Sequence, residues 1–200
     1  MSEPVHRAPA LPSDPAPVVN VANALTVFRI VLVPVFVVAL FIDGGESTTW
    51  RIVAFAIFAI AAVTDQIDGR IARGWGLVTD FGKMADPIAD KALIGAALLS
   101  LSILDIVPWW MTAVILVREV GVTLLRFWVL RHGIIPASRG GKLKTLLQSV
   151  AIGLYILPFP DGSILHLTAV VVMWAALIAT VVTGMDYLWR ALTLRRESQR

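Results

Sequence analysis

Six apolar runs, at about 25–42, 50–73, 84–104, 108–130, 142–157 and 164–188, fill most of the chain, and each is close to the length at which a helix crosses a bilayer. A hydrocarbon layer about 30 Å thick takes roughly 20 helical residues at 1.5 Å each. Within it every backbone N–H and C=O must be satisfied inside the segment, which leaves the helix as the structure for single apolar runs of this length. Turn chemistry separates the runs: Asp43-Gly44-Gly45-Glu46, Asp105 ahead of Pro108, Gly140-Gly141, and Pro158-Phe159-Pro160-Asp161-Gly162. The expectation is an all-α integral membrane protein, a bundle of six transmembrane helices. Composition agrees: 58% hydrophobic and 16% charged residues with a mean hydropathy of +0.80 is too apolar for a water-soluble enzyme, which carries about 25% charge.

The charged residues then become informative by position. Ahead of the first run, residues 1–19 hold Pro4, Pro9, Pro12, Pro15 and Pro17 with little apolar content, and read as a disordered Pro-rich arm with no signal-peptide pattern. Residues 20–190 form the membrane domain and 191–200 a basic tail. Lys and Arg alternate between loops: Arg70, Arg73 and Lys83 follow the second run, Arg131, Arg139, Lys142 and Lys144 follow the fourth, and Arg190, Arg195, Arg196 and Arg200 close the chain. The other loops hold Asp43, Glu46, Asp105 and Asp161, with Arg51 at an edge. By the positive-inside rule both termini are cytoplasmic, with Trp50, Trp109, Trp110 and Trp189 at the interfaces. The same scatter, with no basic stripe, argues against nucleic acid despite a net charge of +3. With no cysteine, disulfides, thiolate nucleophiles and Cys metal sites are excluded.

The cytoplasmic end of the second run carries Asp65 and Asp68, and the third opens with Asp86 and Asp90. Spacings of three and four put each pair on one helix face, and Pro87 fits a first turn. Two antiparallel helices with a short loop would gather all four carboxylates. Like charges this close raise one another's pKa unless cations share them. An all-oxygen set without His or Cys selects hard divalent ions, Mg²⁺ or Mn²⁺, and two such ions make a clamp for phosphoryl chemistry. Gly69 admits close approach to the backbone, and Arg73 can neutralise a phosphate oxygen. The alternative is a solvated hairpin whose acids pair with Arg70, Arg73, Lys83 and Lys91. Four acids so spaced, with glycines among them and apolar helix on either side, favour the metal clamp.

The segment Asp65-x2-Asp68-Gly69-x2-Ala72-Arg73-x8-Gly82-x3-Asp86-x3-Asp90 resembles, at every fixed position, the signature of the CDP-alcohol phosphotransferases, integral membrane enzymes of phospholipid synthesis. The resemblance implies that Asp65, Asp68 and Asp86 hold a binuclear metal centre. It makes Asp90 a further ligand and the base that takes the acceptor's hydroxyl proton. It also implies that Gly69, Arg73 and Thr79 contact the CDP-lipid, and that the protein is a homodimer in a bacterial cell membrane with its site facing the cytoplasm. The opening Asn23-x-Leu25-Thr26-x2-Arg29 is similar to the family's first helix, where Asn23 and Thr26 would help hold the nucleotide; Asn23 also reads as a helix cap.

The acceptor must be read from the second half. Arg118, Glu119 and Arg126 interrupt the fourth run; Glu119 and Arg126, seven apart, can form an internal ion pair, or Arg118 or Arg126 can stand in a polar cavity for an anionic acceptor. Gly141-Lys142-Leu143-Lys144-Thr145 opens the fifth run and offers helix N–H groups and ammonium donors to a phosphate. Lys142 and Lys144 lie about 200° apart on a helix, so one of the two faces the site. Orientation charge alone is the plainer account of this loop. From Asn23 to about Tyr187 the chain is similar to the bacterial branch of the family that makes phosphatidylglycerophosphate and CMP from CDP-diacylglycerol and sn-glycerol 3-phosphate. Inositol phosphate, serine or phosphatidylglycerol are the alternative acceptors. A cation transporter would place carboxylates at mid-bilayer in two repeated halves, and a membrane scaffold would need no acid cluster; neither pattern is present. His132 and His166 carry no assigned role, and Asp186 reads as an i,i+4 ion pair with Arg190.

Overall fold

A computed structural model describes residues 21–74, 80–129 and 139–198, with side chains for all of these except 22, 65–87, 90, 126–142 and 194–198. Among the described residues the fold is all-helical: α1 (Val21–Phe41), α2 (Thr48–Gly74), α3 (Asp80–Ile103), α4 (Trp109–Val129), α5 (Arg139–Ile156) and α6 (Ile164–Ser198), with a 3₁₀ turn at Ile42–Gly45. The six apolar runs correspond one to one with these helices. Three ends depart from hydropathy. α3 begins at Asp80, so Pro87 lies inside the helix and not in its first turn, where it removes one backbone donor from the carboxylate segment. α1 begins at Val21, so Asn23 sits within its first turn and is not a cap ahead of it. α6 continues to Ser198 and takes in most of the basic tail. Its 35 residues make a rod about 52 Å long.

The ends of the helices are closed by local chemistry. Ser163 Oγ accepts the His166 N–H at 3.1 Å, an N-cap for α6. After α3, Asp105 takes the left-handed conformation (φ 56°), its N–H bonds the Ser102 carbonyl, and the Ile106 N–H reaches back to Leu101. That is a Schellman closure with Asp in the position usually given to Gly. Between α1 and α2, Asp43, Gly44 and Gly45 all have positive φ. A Cβ on Gly45 would stand 2.7 Å from Leu104 Cδ1, so the turn packs its backbone directly on the residue that follows α3.

α1 packs on α2 and α3, and α6 on α4 and α5. Alanines line the contacts: Ala39, Ala54, Ala61, Ala97, Ala151 and Ala176 are all buried, which lets helix backbones come close. Around them Phe36, Phe58, Leu98, Ile152 and Met173 fill the core. The outward faces are apolar as well: Val31, Val35 and Val38 on α1, Val117 and Leu124 on α4, Val171, Ile178 and Val182 on α6. Meanwhile Thr26, Arg29, Ser102, Thr112, Gln148 and Thr180 are buried inside. Two segments, Asn23–Gly45 and Ile164–Thr193, are long and apolar enough to cross a membrane by length and composition, while Thr48–Thr64, Lys91–Ile103 and Leu143–Ile156 are shorter apolar stretches.

Candidate active site

A few contacts fix the relative heights of the helices. The Phe36 and Phe58 ring centroids are 5.8 Å apart across the antiparallel α1–α2 pair. Counting equal steps from that contact brings Arg29 level with Asp65 and Thr26 level with Asp68. Arg51 at the start of α2 donates to the Tyr155 and Ile156 carbonyls at the end of α5, at 2.7 and 2.8 Å. Counting from there brings Lys144 level with about residues 62–63, within one turn of Asp65. Asn23, Thr26 and Arg29, three residues apart, are all buried on one side of α1, and Arg29 is 0% exposed.

The helical backbones of α2 and α3 keep Asp65 and Asp68, and Asp86 and Asp90, each about one turn apart. The side chains of Asp65, Asp68, Gly69, Arg73, Asp86, Asp90, Arg126 and Lys142 lie outside the described residues, as do Thr79 and His132 altogether. The donor chemistry of the carboxylate set fits a hard divalent cation: oxygen ligands only, from two helices, with the spacing that stacks them on a face.

The described part of the site is a cleft between α3, α4 and α5, lined by Lys91 and Gly95, Leu116 and Glu119, and Lys144 and Gln148. Lys91 follows Asp90 directly in sequence, so the cleft adjoins the carboxylate segment of α3. Lys144 is 5% exposed and ion-pairs with Glu119. The same Glu119 oxygen accepts from Arg118 Nη1 at 3.2 Å. Arg118 turns toward α6, donating through Nε to the Thr180 carbonyl at 3.0 Å and through Nη2 to Thr183 Oγ1 at 2.7 Å. Gln148 Nε2 donates to Thr180 Oγ1 at 2.9 Å. Among the described side chains, then, Glu119 pairs across to α5 and with its own neighbour, and Lys144 is a member of the Lys142/Lys144 pair that enters the cleft. Lys91 and Lys144 against Glu119 leave the described part of the lining with one net positive charge.

Sequence reasoning quoted Arg29 in the opening motif without giving it a role, and did not single out Thr180 or Gly184. Arg29 had a signal, since an arginine three residues beyond Thr26 in an apolar helix is expensive to bury without a purpose. Thr180 and Gly184 had none, because a small residue in an apolar run looks the same wherever it packs. Just beyond Gly184 on α6, Arg190 holds Asp186 in the expected i,i+4 pair at 3.0 Å, exposed to the surroundings.

Residues 19–182 match the family profile described as CDP-alcohol phosphatidyltransferase, and the chain belongs to that family. Its members are membrane-integral enzymes of phospholipid synthesis, generally dependent on a divalent metal. Among similar proteins, one from Mycobacterium tuberculosis (strain ATCC 25618 / H37Rv) named probable phosphatidylglycerophosphate synthase is 57% identical over 177 residues, covering 88% of this chain and 84% of that protein. One from Bacillus subtilis (strain 168), named CDP-diacylglycerol–glycerol-3-phosphate 3-phosphatidyltransferase, is 40% identical over 189 residues, covering 86% and 97%. A protein of the same name from Haemophilus influenzae is 34% identical over 175 residues, covering 84% and 91%.

Proposed function

We propose that this enzyme transfers the phosphatidyl group of CDP-diacylglycerol to sn-glycerol 3-phosphate, giving phosphatidylglycerophosphate and CMP. The observation that carries the reading is the positively lined cleft of Lys91, Glu119 and Lys144, which adjoins the Asp86–Asp90 segment and suits a small phosphorylated alcohol. The relatives named for this reaction span nearly the whole chain.

The six helices cross the membrane as a bundle with both termini in the cytoplasm. The outward apolar faces and the inward polar side chains support this arrangement, and so does the alternation of Lys and Arg between loops. The carboxylate end then faces the cytoplasm, where a soluble phosphorylated acceptor can reach it. The enzyme works as a homodimer.

Asp65, Asp68, Asp86 and Asp90 would hold two Mg²⁺ or Mn²⁺ ions, which when bound neutralise the diphosphate charge and favour loss of the hydroxyl proton. The CDP-lipid enters from the bilayer with its headgroup among Asn23, Thr26, Gly69, Arg73 and Thr79. Asp90 accepts the proton of the primary hydroxyl of glycerol 3-phosphate. The alcohol oxygen bonds to the phosphorus that carries diacylglycerol while the bond from that phosphorus to the CMP oxygen breaks. Arg73 balances the charge that develops on departing CMP. Lys144 supplies a cation for the acceptor phosphate, and Lys142 and Arg126 would add positive charge to it; Arg118, bound to α6 and to Glu119, bears on the phosphate only through Glu119.

The test is a purified enzyme given CDP-diacylglycerol and one acceptor at a time, with CMP release measured. Glycerol 3-phosphate is expected to support turnover far above inositol phosphate, serine or phosphatidylglycerol. Faster CMP release with any of those three would overturn the acceptor assignment, and no release with any acceptor would overturn the reaction.

A further inference from the structure

Lys144 does not stand alone in the cleft. Its ammonium meets Glu119, and Glu119 meets Arg118. Arg118 in turn lies along α6 so closely that a Cβ on Gly184 would stand 3.0 Å from its Cγ and 3.1 Å from its Nε. Any larger residue there would push the Arg118 side chain by a few tenths of an ångström. Thr180, 0% exposed, completes the arrangement with both of its groups: the carbonyl accepts from Arg118 of α4 and the hydroxyl accepts from Gln148 of α5, one turn beyond Lys144. Two walls of the cleft are thus moored to one short stretch of α6 that does not itself line it.

We propose that Glu119 is a positioning residue for the acceptor, holding Lys144 at a fixed place in the cleft, and that Gly184 determines this placement from α6 by admitting the Arg118 side chain. This rests on the reading of the cleft as the acceptor site. A carboxylate beside a cation that must bind an anionic phosphate is, by charge alone, unfavourable to the acceptor. Its presence is explained if order matters more than charge. An unmoored lysine carries large rotamer entropy, which acceptor binding would have to remove. Glu119 removes part of it in advance, and Arg118, with three of its donors committed to α4 and α6, keeps Glu119 in place.

The charge argument and the positioning argument predict opposite signs, so the experiment separates them. In the purified full-length enzyme, Glu119→Gln is expected to raise the KM for glycerol 3-phosphate about tenfold, which is about 1.4 kcal/mol. kcat should stay within a few-fold and the KM for CDP-diacylglycerol should not move, while Glu119→Asp recovers part of the loss. Gly184→Ala is expected to raise the same KM several-fold without lowering the melting temperature, since alanine is the better helix former. In the Glu119→Gln background it should add little, because both act through one chain of contacts. If Glu119→Gln does not fold, Gly184→Ala carries the test alone. A lowered acceptor KM in Glu119→Gln, unchanged KM in Gly184→Ala, or equal losses for both substrates overturns the proposal. Lys144→Ala is the reference: if it raises the acceptor KM and the other two variants do not, positioning fails and the acceptor site stands. If Lys144→Ala leaves the acceptor KM unchanged, the acceptor site is wrong and the proposal falls with it.

Discussion

Two arginines at opposite ends of the bundle use the same chemistry for different ends. Arg51, at the start of α2, donates to the carbonyls of Tyr155, Ile156 and Leu157. The first two are the last carbonyls of α5, which have no partner within their own helix, and the third belongs to the residue after it. A guanidinium there finishes one helix with a side chain from another, and the result is stability. Arg118 also takes a helix carbonyl, that of Thr180, but one in the middle of α6, and it holds Glu119 with another donor. Its bonds organise a carboxylate and, through it, the Lys144 ammonium. The contrast is between an arginine that closes a backbone and one that arranges charge, and the two ends of the molecule divide in the same way.

That division can be broken by substitutions on either side of it. The largest effect belongs to the carboxylate end: Asp90→Asn is expected to lower turnover by about 10²–10⁴-fold with an unchanged melting temperature, measured by CMP release and thermal unfolding on one preparation. A variant that keeps near-normal rates would remove Asp90 as the proton acceptor. Next comes Arg51→Leu, which strands the α5 carbonyls and should cost about 2–3 kcal/mol of stability. It should appear as a lower melting temperature with both KM values intact. A selective rise in one KM there would show that the Arg51 end is not merely structural. Gly45→Ala forces a Cβ into Leu104 at positive φ and is expected to destabilise by about 1–3 kcal/mol, again without kinetic consequence. The smallest change is Asp186→Ala, which breaks an exposed ion pair and should move stability by no more than about 0.5 kcal/mol. A larger shift would mean that the pair takes part in a wider network at the carboxylate end.

How much of this was visible in the sequence follows from what hydropathy measures. It locates apolar slabs, so it found six helices and their connections. It does not sense hydrogen bonding, so it began α3 at Met84, although the helix starts at Asp80, and stopped α6 near Leu188, although the backbone stays helical to Ser198. Spacing within one helix was reliable where the partner was local, as with Asp186 and Arg190. It offered Arg126, whose side chain lies outside the described residues, as a partner for Glu119; it could not offer Lys144, which reaches Glu119 from 25 residues away on another helix. The carboxylate signature was legible because its spacing is local to two adjacent helices. The mooring of Arg118 was not, because Thr180 and Gly184 become distinctive only once α6 lies against α4.

One consequence follows from the continuity of α6. Trp174 meets Trp110 at 5.6 Å, and ten residues later Gly184 meets Arg118, so two separate contacts with α4 are read off a single uninterrupted helix. The helical phase between them is therefore fixed. Adding or removing one apolar residue in that interval would leave hydropathy, span length and orientation charges as they are, yet would turn one contact by about 100° relative to the other. In this bundle, insertions that a membrane tolerates are errors of rotation, and the count of residues along α6 carries information that their apolar character does not.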